Sequence, residues 1–118
     1  DERYGQIAAS ERHGFVVVFP NGYGRLPGGR LATWNAGGCC GPAKDRQVDD
    51  VGFARLIVTH LRQQLHVDPE RIFATGFSNG AMLTHRLACE AGDVFRAIAA
   101  VAGTDNTLAC APKRPVSV

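Results

Sequence analysis

The sequence predicts an α/β fold, a parallel sheet with flanking helices, and three observations carry that prediction. Two runs, Phe15-Val16-Val17-Val18-Phe19 and Ala97-Ile98-Ala99-Ala100-Val101-Ala102-Gly103, are apolar almost throughout, as strands buried on both faces of a parallel sheet require. Between them Val51, Ala54, Ile57, Val58, Leu61 and Leu65 recur at helical spacing and make one apolar stripe. The pentapeptide Gly76-Phe77-Ser78-Asn79-Gly80 joins the mostly apolar Arg71-Ile72-Phe73-Ala74-Thr75 to a helical-looking segment at residues 81–90. The expected order is helix, strand, helix, strand, tight turn, helix, strand, with crossovers of the kind that leave strands parallel.

In chain order, Ile7-Ala8-Ala9 followed by Ser10-Glu11-Arg12-His13-Gly14 reads as the last turns of a helix, basic near its end and stopped by Gly14. The strand at residues 15–19 ends in the turn residues Pro20-Asn21-Gly22-Tyr23-Gly24. Residues 25–47 form a long irregular stretch rich in glycine. Loops of that length in a compact domain are usually functional, and this one leaves the carboxyl end of a strand, the edge at which open α/β sheets bind ligands. Trp34 is therefore a candidate for lining a substrate cleft; the alternative is a tryptophan that plugs the core beneath the loop. Asp49 or Asp50 caps the next helix, whose far side carries Arg55, Arg62 and Gln63, and Asp68-Pro69 closes its connection to the following strand. Met82, Leu83, Leu87 and Ala88 give the last helix its apolar face, with Gly92 at its end. The tail from Ala111 to Val118 reads as a connector into a further strand.

Composition removes several classes of function. At 118 residues, 45% hydrophobic and 20% charged, the chain has the make-up of an ordinary globular domain, and residues 1–118 are expected to be one partial domain. A formal charge of +2, spread along the chain, is no polyanion-binding signature, so nucleic acid is not an expected partner. No apolar run reaches the length of a membrane span. The chain opens on Asp1-Glu2-Arg3, not on a signal peptide or a methionine, and its amino terminus is expected to be cut within a domain. Cys39, Cys40, Cys89 and Cys110 lack the spacing of a zinc knuckle. They read as disulfides of a secreted or periplasmic protein, with buried free thiols as the alternative. A bond between the adjacent Cys39 and Cys40 would need a strained ring, so crossed pairing of these two with Cys89 and Cys110 is expected, and which crossed pairing is open.

The chemistry resides in Gly76-Phe77-Ser78-Asn79-Gly80. A serine with glycines two residues to either side, at a strand-to-helix turn, is the nucleophile elbow of serine hydrolases. The turn holds the serine in a strained backbone conformation, and side chains at the flanking positions are expected to collide with the strand or the helix. Ser78 is the candidate nucleophile, and the backbone N–H of Asn79, at the positive end of the new helix, is a candidate oxyanion donor. With 14 glycines and three serines in the chain, this spacing is not expected by chance. No histidine is placed to serve as the base. His13, His60 and His66 precede Ser78, and His85 follows on the same helix about 10 Å along its axis. Asp93 and Asp105 follow the elbow with no histidine beyond them. Acyl transfer through a serine needs no metal or organic cofactor.

Several blocks together resemble one family. They are Gly14-Phe15-Val16-Val17-Val18-Phe19-Pro20-Asn21-Gly22, Trp34-Asn35-Ala36-Gly37 with Cys39-Cys40-Gly41, Val48-Asp49-Asp50-Val51-Gly52-Phe53, the elbow with Ala81-Met82, and Val101-Ala102-Gly103. The chain thereby resembles the polyhydroxybutyrate depolymerase and feruloyl or acetyl-xylan esterase family, mostly secreted α/β hydrolases, over nearly its whole length. The resemblance implies the central part of an α/β-hydrolase fold, truncated at both ends. It also implies Ser78 as nucleophile, the Asn79 N–H as oxyanion donor, and an ester substrate, whether a polyester or a feruloyl or acetyl ester on polysaccharide. The family's His-Gly oxyanion segment would precede Asp1, and its acid and histidine would follow Val118, so the 118 residues alone are expected to be inactive. A strand of that fold would also lie between residues 15–19 and the elbow strand, leaving either a gap or a direct closure of the two. A serine peptidase on the same scaffold and a non-catalytic fragment are the rival readings.

Overall fold

The computed structural model describes residues 4–24 and 26–118; Asp1-Glu2-Arg3 and Arg25, the first residue of the expected irregular stretch, lie outside them. The first helix, α1, runs Gln6–His13 and stops where expected, with Gly14 in the left-handed region (φ 71°) donating its N–H to Ser10 O. The stretch that follows is less irregular than its composition suggests. It contains a short 3-10 turn, Pro27–Gly29, an antiparallel bridge between Tyr23 and Thr33, and a short helix α2, Gly41–Asp45.

Helix α3, Asp50–Gln64, is capped by Asp49, whose carboxylate accepts from the Gly52 N–H at 2.9 Å. Strand β1, Phe73–Phe77, leads through Ser78 into helix α4, Asn79–Glu90, and strand β2, Ala97–Val101, lies parallel to β1 in the register Phe73 to Ala97 through Phe77 to Val101. Helix α4 ends at Ala91, whose N–H donates to Leu87 O, one residue before the expected Gly92. The tail does begin a further pairing: Ser117 forms a parallel bridge to Ala97, on the side of β2 away from β1, with Ile98 N–H donating to Ser117 O.

Val51, Leu83, Leu87, Ala91 and Phe95 form the core, with Trp34, Ala54, Val58, Ile72, Ala74 and Val94 packed around them. The stripe on α3 is therefore only partly used: Leu65 is exposed, and it lines a cleft together with Ile57 and Leu61.

One expected strand is not formed. Residues 15–19 carry no regular secondary structure, and among the described residues Val16, Val17, Val18 and Phe19 make no backbone hydrogen bond. An apolar run becomes a strand only when a neighbour takes its N–H and C=O groups. Here the run and β1 face one another across a cleft of about 1720 Å³ that both of them line. Of the two outcomes open to this pair of segments, the gap is the one adopted. Its cost is visible on both rims, where Phe15, Val16, Val18 and Phe19 are exposed and Phe73 on β1 is 63% exposed.

Candidate active site

Ser78 occupies the junction of β1 and α4. Its N–H donates to Val101 O at 2.8 Å, the last rung of the pairing with β2, and its carbonyl accepts from the Met82 N–H at 3.1 Å, the first turn of α4. Satisfying both within one residue forces a backbone of φ 56° and ψ −117°, which side-chain-bearing residues rarely adopt. The consequence is an exposed serine on the wall of the cleft, at a helix start whose first N–H groups have no intrahelical carbonyl partners.

The glycines do not contribute equally. A Cβ on Gly76 would overlap the Gly80 carbonyl and lie 2.8 Å from Ala81 N, so position 76 admits no side chain. A Cβ on Gly80 would meet only the Trp34 indole Nε1, at 3.9 Å, an ordinary contact, so the expected collision is absent there. The second steric requirement falls instead on Gly103, where a Cβ would overlap the Ser78 carbonyl and approach the Ala81 Cβ to 2.8 Å. Gly103 follows β2, and only the folded pairing brings it beneath the elbow.

Trp34 is half-buried. It packs on the core and also lines the cleft beside Ser78, Asn79 and Gly80. Its backbone is held by Asn79, whose Oδ1 accepts from the Trp34 N–H at 2.6 Å and whose Nδ2 donates to Trp34 O at 3.1 Å. The neighbouring Asn35, buried, donates its N–H to the Asp50 carboxylate at 2.7 Å, and its carbonyl accepts from Arg86 Nη1 at 2.8 Å. Burial pushes the Asp50 carboxyl above its ordinary value, against the opposing pull of the Asn35 N–H and the Arg86 charge. The sequence offered Asp49 and Asp50 as alternative caps. The structure divides the work, with Asp49 capping and Asp50 holding the Trp34-Asn35 loop.

The acids after the elbow have structural partners. Asp93 forms a two-toothed ion pair with Arg55 at 2.8 and 2.9 Å, which holds its pKa down to about 2. Asp105 accepts the Thr107 N–H at 2.8 Å; this bond, with one from the Thr107 hydroxyl, keeps its carboxyl below the usual range. Among the described residues no histidine hydrogen-bonds to Ser78, and no cluster of His, Cys, Asp or Glu is arranged to hold a metal.

The cysteines lie otherwise than crossed pairing requires. Cys39 lies beside Cys40, and Cys89 beside Cys110 with a Cα separation of 4.8 Å. Cys40 Sγ sits 3.8 Å from Met82 Sδ near the start of α4. Cys89 lies seven residues further along that helix, about 10 Å away along its axis and beyond disulfide reach.

A parallel pair of strands, with a strained serine between the first of them and the helix that returns to the second, defines the central element of an α/β hydrolase. The chain belongs to the prolyl oligopeptidase family, whose model matches residues 4–113. It is 35% identical over 95 residues to an acetylxylan esterase of Coprinopsis cinerea, covering 80% of this chain and 24% of the relative. It is also 35% identical over 118 residues to feruloyl esterase B of Piromyces equi, covering 93% of this chain and 20% of the relative. A third relative, the putative esterase NocK of Nocardia uniformis, is 48% identical over 54 residues, 46% of this chain and 16% of its own length. The chain thus spans a quarter or less of the length of these curated relatives. No solved structure matches.

Proposed function

We propose that the protein is a serine carboxylic ester hydrolase acting through an acyl-enzyme on Ser78. The observation that carries this reading is the backbone of Ser78, at φ 56° on the last rung of β1, with the residue exposed on the cleft wall at the start of α4. In the proposed reaction Ser78 Oγ attacks the ester carbonyl carbon while a base takes its proton. The Asn79 N–H and the positive end of α4 stabilise the tetrahedral oxyanion. Collapse expels the alcohol, which leaves with the proton, and water then releases the acid. The chain spans at most a quarter of its relatives, and we assign the base, its orienting acid and the second oxyanion donor to the remainder of the protein. Residues 1–118 are then one part of a single α/β-hydrolase domain.

The substrates proposed follow the relatives' names and the motif blocks: acetyl or feruloyl esters on polysaccharide, with a polyester as the further possibility. A serine peptidase is the second reading, favoured by the family's own description. Replacing Ser78 by Ala in the full-length protein is expected to lower hydrolysis of a short-chain nitrophenyl ester by several orders of magnitude. Hydrolysis left intact would remove the assignment, and an enzyme that cleaves a peptide anilide but no ester would favour the peptidase.

We further propose that the protein is exported, with a disulfide between Cys89 and Cys110. The support is the adjacency of Cys89 and Cys110, whose Cα atoms are 4.8 Å apart. Peptide mapping of the secreted protein under non-reducing conditions should recover Cys89 linked to Cys110. Four free thiols, or a crossed linkage, would contradict the pairing.

A further inference from the structure

Among the described residues no strand is paired with the Trp34-Asn35 dipeptide, and all four of its backbone polar groups bond to side chains, the Trp34 carbonyl also accepting the Cys40 N–H at 3.3 Å. Asn79 on α4 takes both groups of Trp34, Asp50 at the start of α3 takes the Asn35 N–H, and Arg86, two turns along α4 from Asn79, takes the Asn35 carbonyl. The Asn79 amide is the informative member. Its Cγ=O and Nδ2–H₂ present one acceptor and one donor in a plane, the same pair that one residue of an antiparallel neighbour offers across a hydrogen-bonded pair. An aspartate at this position would lack the donor, an alanine would lack both groups, and a glutamine would carry both on a chain one methylene longer.

Asn79 is also the residue immediately after Ser78, so the amide that grips the loop is one residue from the strained serine. On the other side of the clamp, the Trp34 indole lies over Gly80 and forms part of the wall of the cleft that Ser78 lines. A tryptophan on a loop of this kind would ordinarily trade contact area for mobility. With its backbone fastened at both N–H and C=O, its indole keeps a fixed place relative to the serine, and the ordering cost is met before a ligand arrives.

We propose that Asn79 is a positioning residue: its side-chain amide fastens the Trp34 loop to the start of α4 and so fixes the indole as a rigid wall for the group bound next to Ser78. The proposal rests on the reading of Ser78 as the nucleophile. Asn79 acts on the substrate through Trp34, so its effect should appear mainly in KM and should vanish when the indole is gone.

A double-mutant cycle in the full-length protein tests this, using Asn79→Ala, Trp34→Ala and the double variant against a nitrophenyl ester, with a fluorophosphonate probe as a parallel readout of Ser78 itself. Each single substitution should raise KM by about tenfold, and the double variant should be no worse than Trp34→Ala alone, the non-additivity that contacting residues give. Should Asn79→Ala not yield a folded protein, Asn79→Gln replaces it in the same cycle and should give a smaller rise in KM with the same dependence on the indole. Multiplicative effects, or a loss confined to kcat, would overturn the positioning role while leaving a labelled Ser78 in place. A wild-type protein whose Ser78 the probe ignores would overturn the nucleophile reading and this one with it.

Discussion

A methyl group added at Gly76 would overlap the Gly80 carbonyl, whereas one added at Gly80 would touch only the indole nitrogen of Trp34. The two glycines of the motif therefore have different causes, and their substitutions should separate. Gly76→Ala and Gly103→Ala overfill the space beneath Ser78 and are expected to cost about 1–3 kcal/mol, as overpacking does. Gly80→Ala should lie near neutral, because alanine is the better helix former and the site has room. Urea midpoints of the three variants check this, and equal damage at positions 80 and 76 would show that the motif glycines share one steric origin. The elbow was legible in the sequence because its spacing is local. Gly103 was quoted there only as the end of an apolar run and as part of a motif block, since its contact with Ser78 depends on the pairing of β1 with β2. The Asn79 side chain was equally hidden: its partner is 45 residues away, and only the fold shows that the amide bonds the Trp34 backbone.

At the level of elements, α3, α4 and β2 lie close to where periodicity and turn residues put them, and the differences have local causes. The helix α4 ends one residue early, at Ala91. Residues 25–47 contain a helix too short to leave a periodic signal, α2. Residues 15–19 have the composition of a buried strand but no neighbour to pair with, which no local pattern could reveal. The link between α3 and the end of α4 is made by Arg55 and Asp93, an ion pair that the placing of Arg55 on a polar face did not anticipate. Its carboxylate is depressed to about 2 from an ordinary 3.8, first by the Arg55 hydrogen bonds. The pair's contribution to stability is therefore complete above the ordinary value and lost as pH falls through about 2. Both side chains are more than a third open to solvent, so Asp93→Asn should destabilise by no more than about 1 kcal/mol at neutral pH. That difference from wild type should shrink in melts taken at progressively lower pH, and a deficit that stays constant down to pH of about 2 would contradict the pairing as its cause.

Across the whole molecule, a run of exposed apolar side chains follows the rims of the cleft between residues 15–19 and β1, at Phe15, Val16, Val18, Phe19, Phe73 and Phe77. The relatives are at least four times longer than the matched segment, and the proposed remainder of the protein would supply both cover for these rims and the groups that activate Ser78. The proposed activity stands on Ser78. The most direct measurement is mass spectrometry of the folded full-length protein after exposure to a fluorophosphonate, which reacts with an activated serine and passes over an inert one. A single adduct on the peptide that contains Ser78, absent after heat denaturation and absent in Ser78→Ala, is the expected result. An adduct on a different serine, with the Ser78 peptide recovered unmodified, would contradict the assignment.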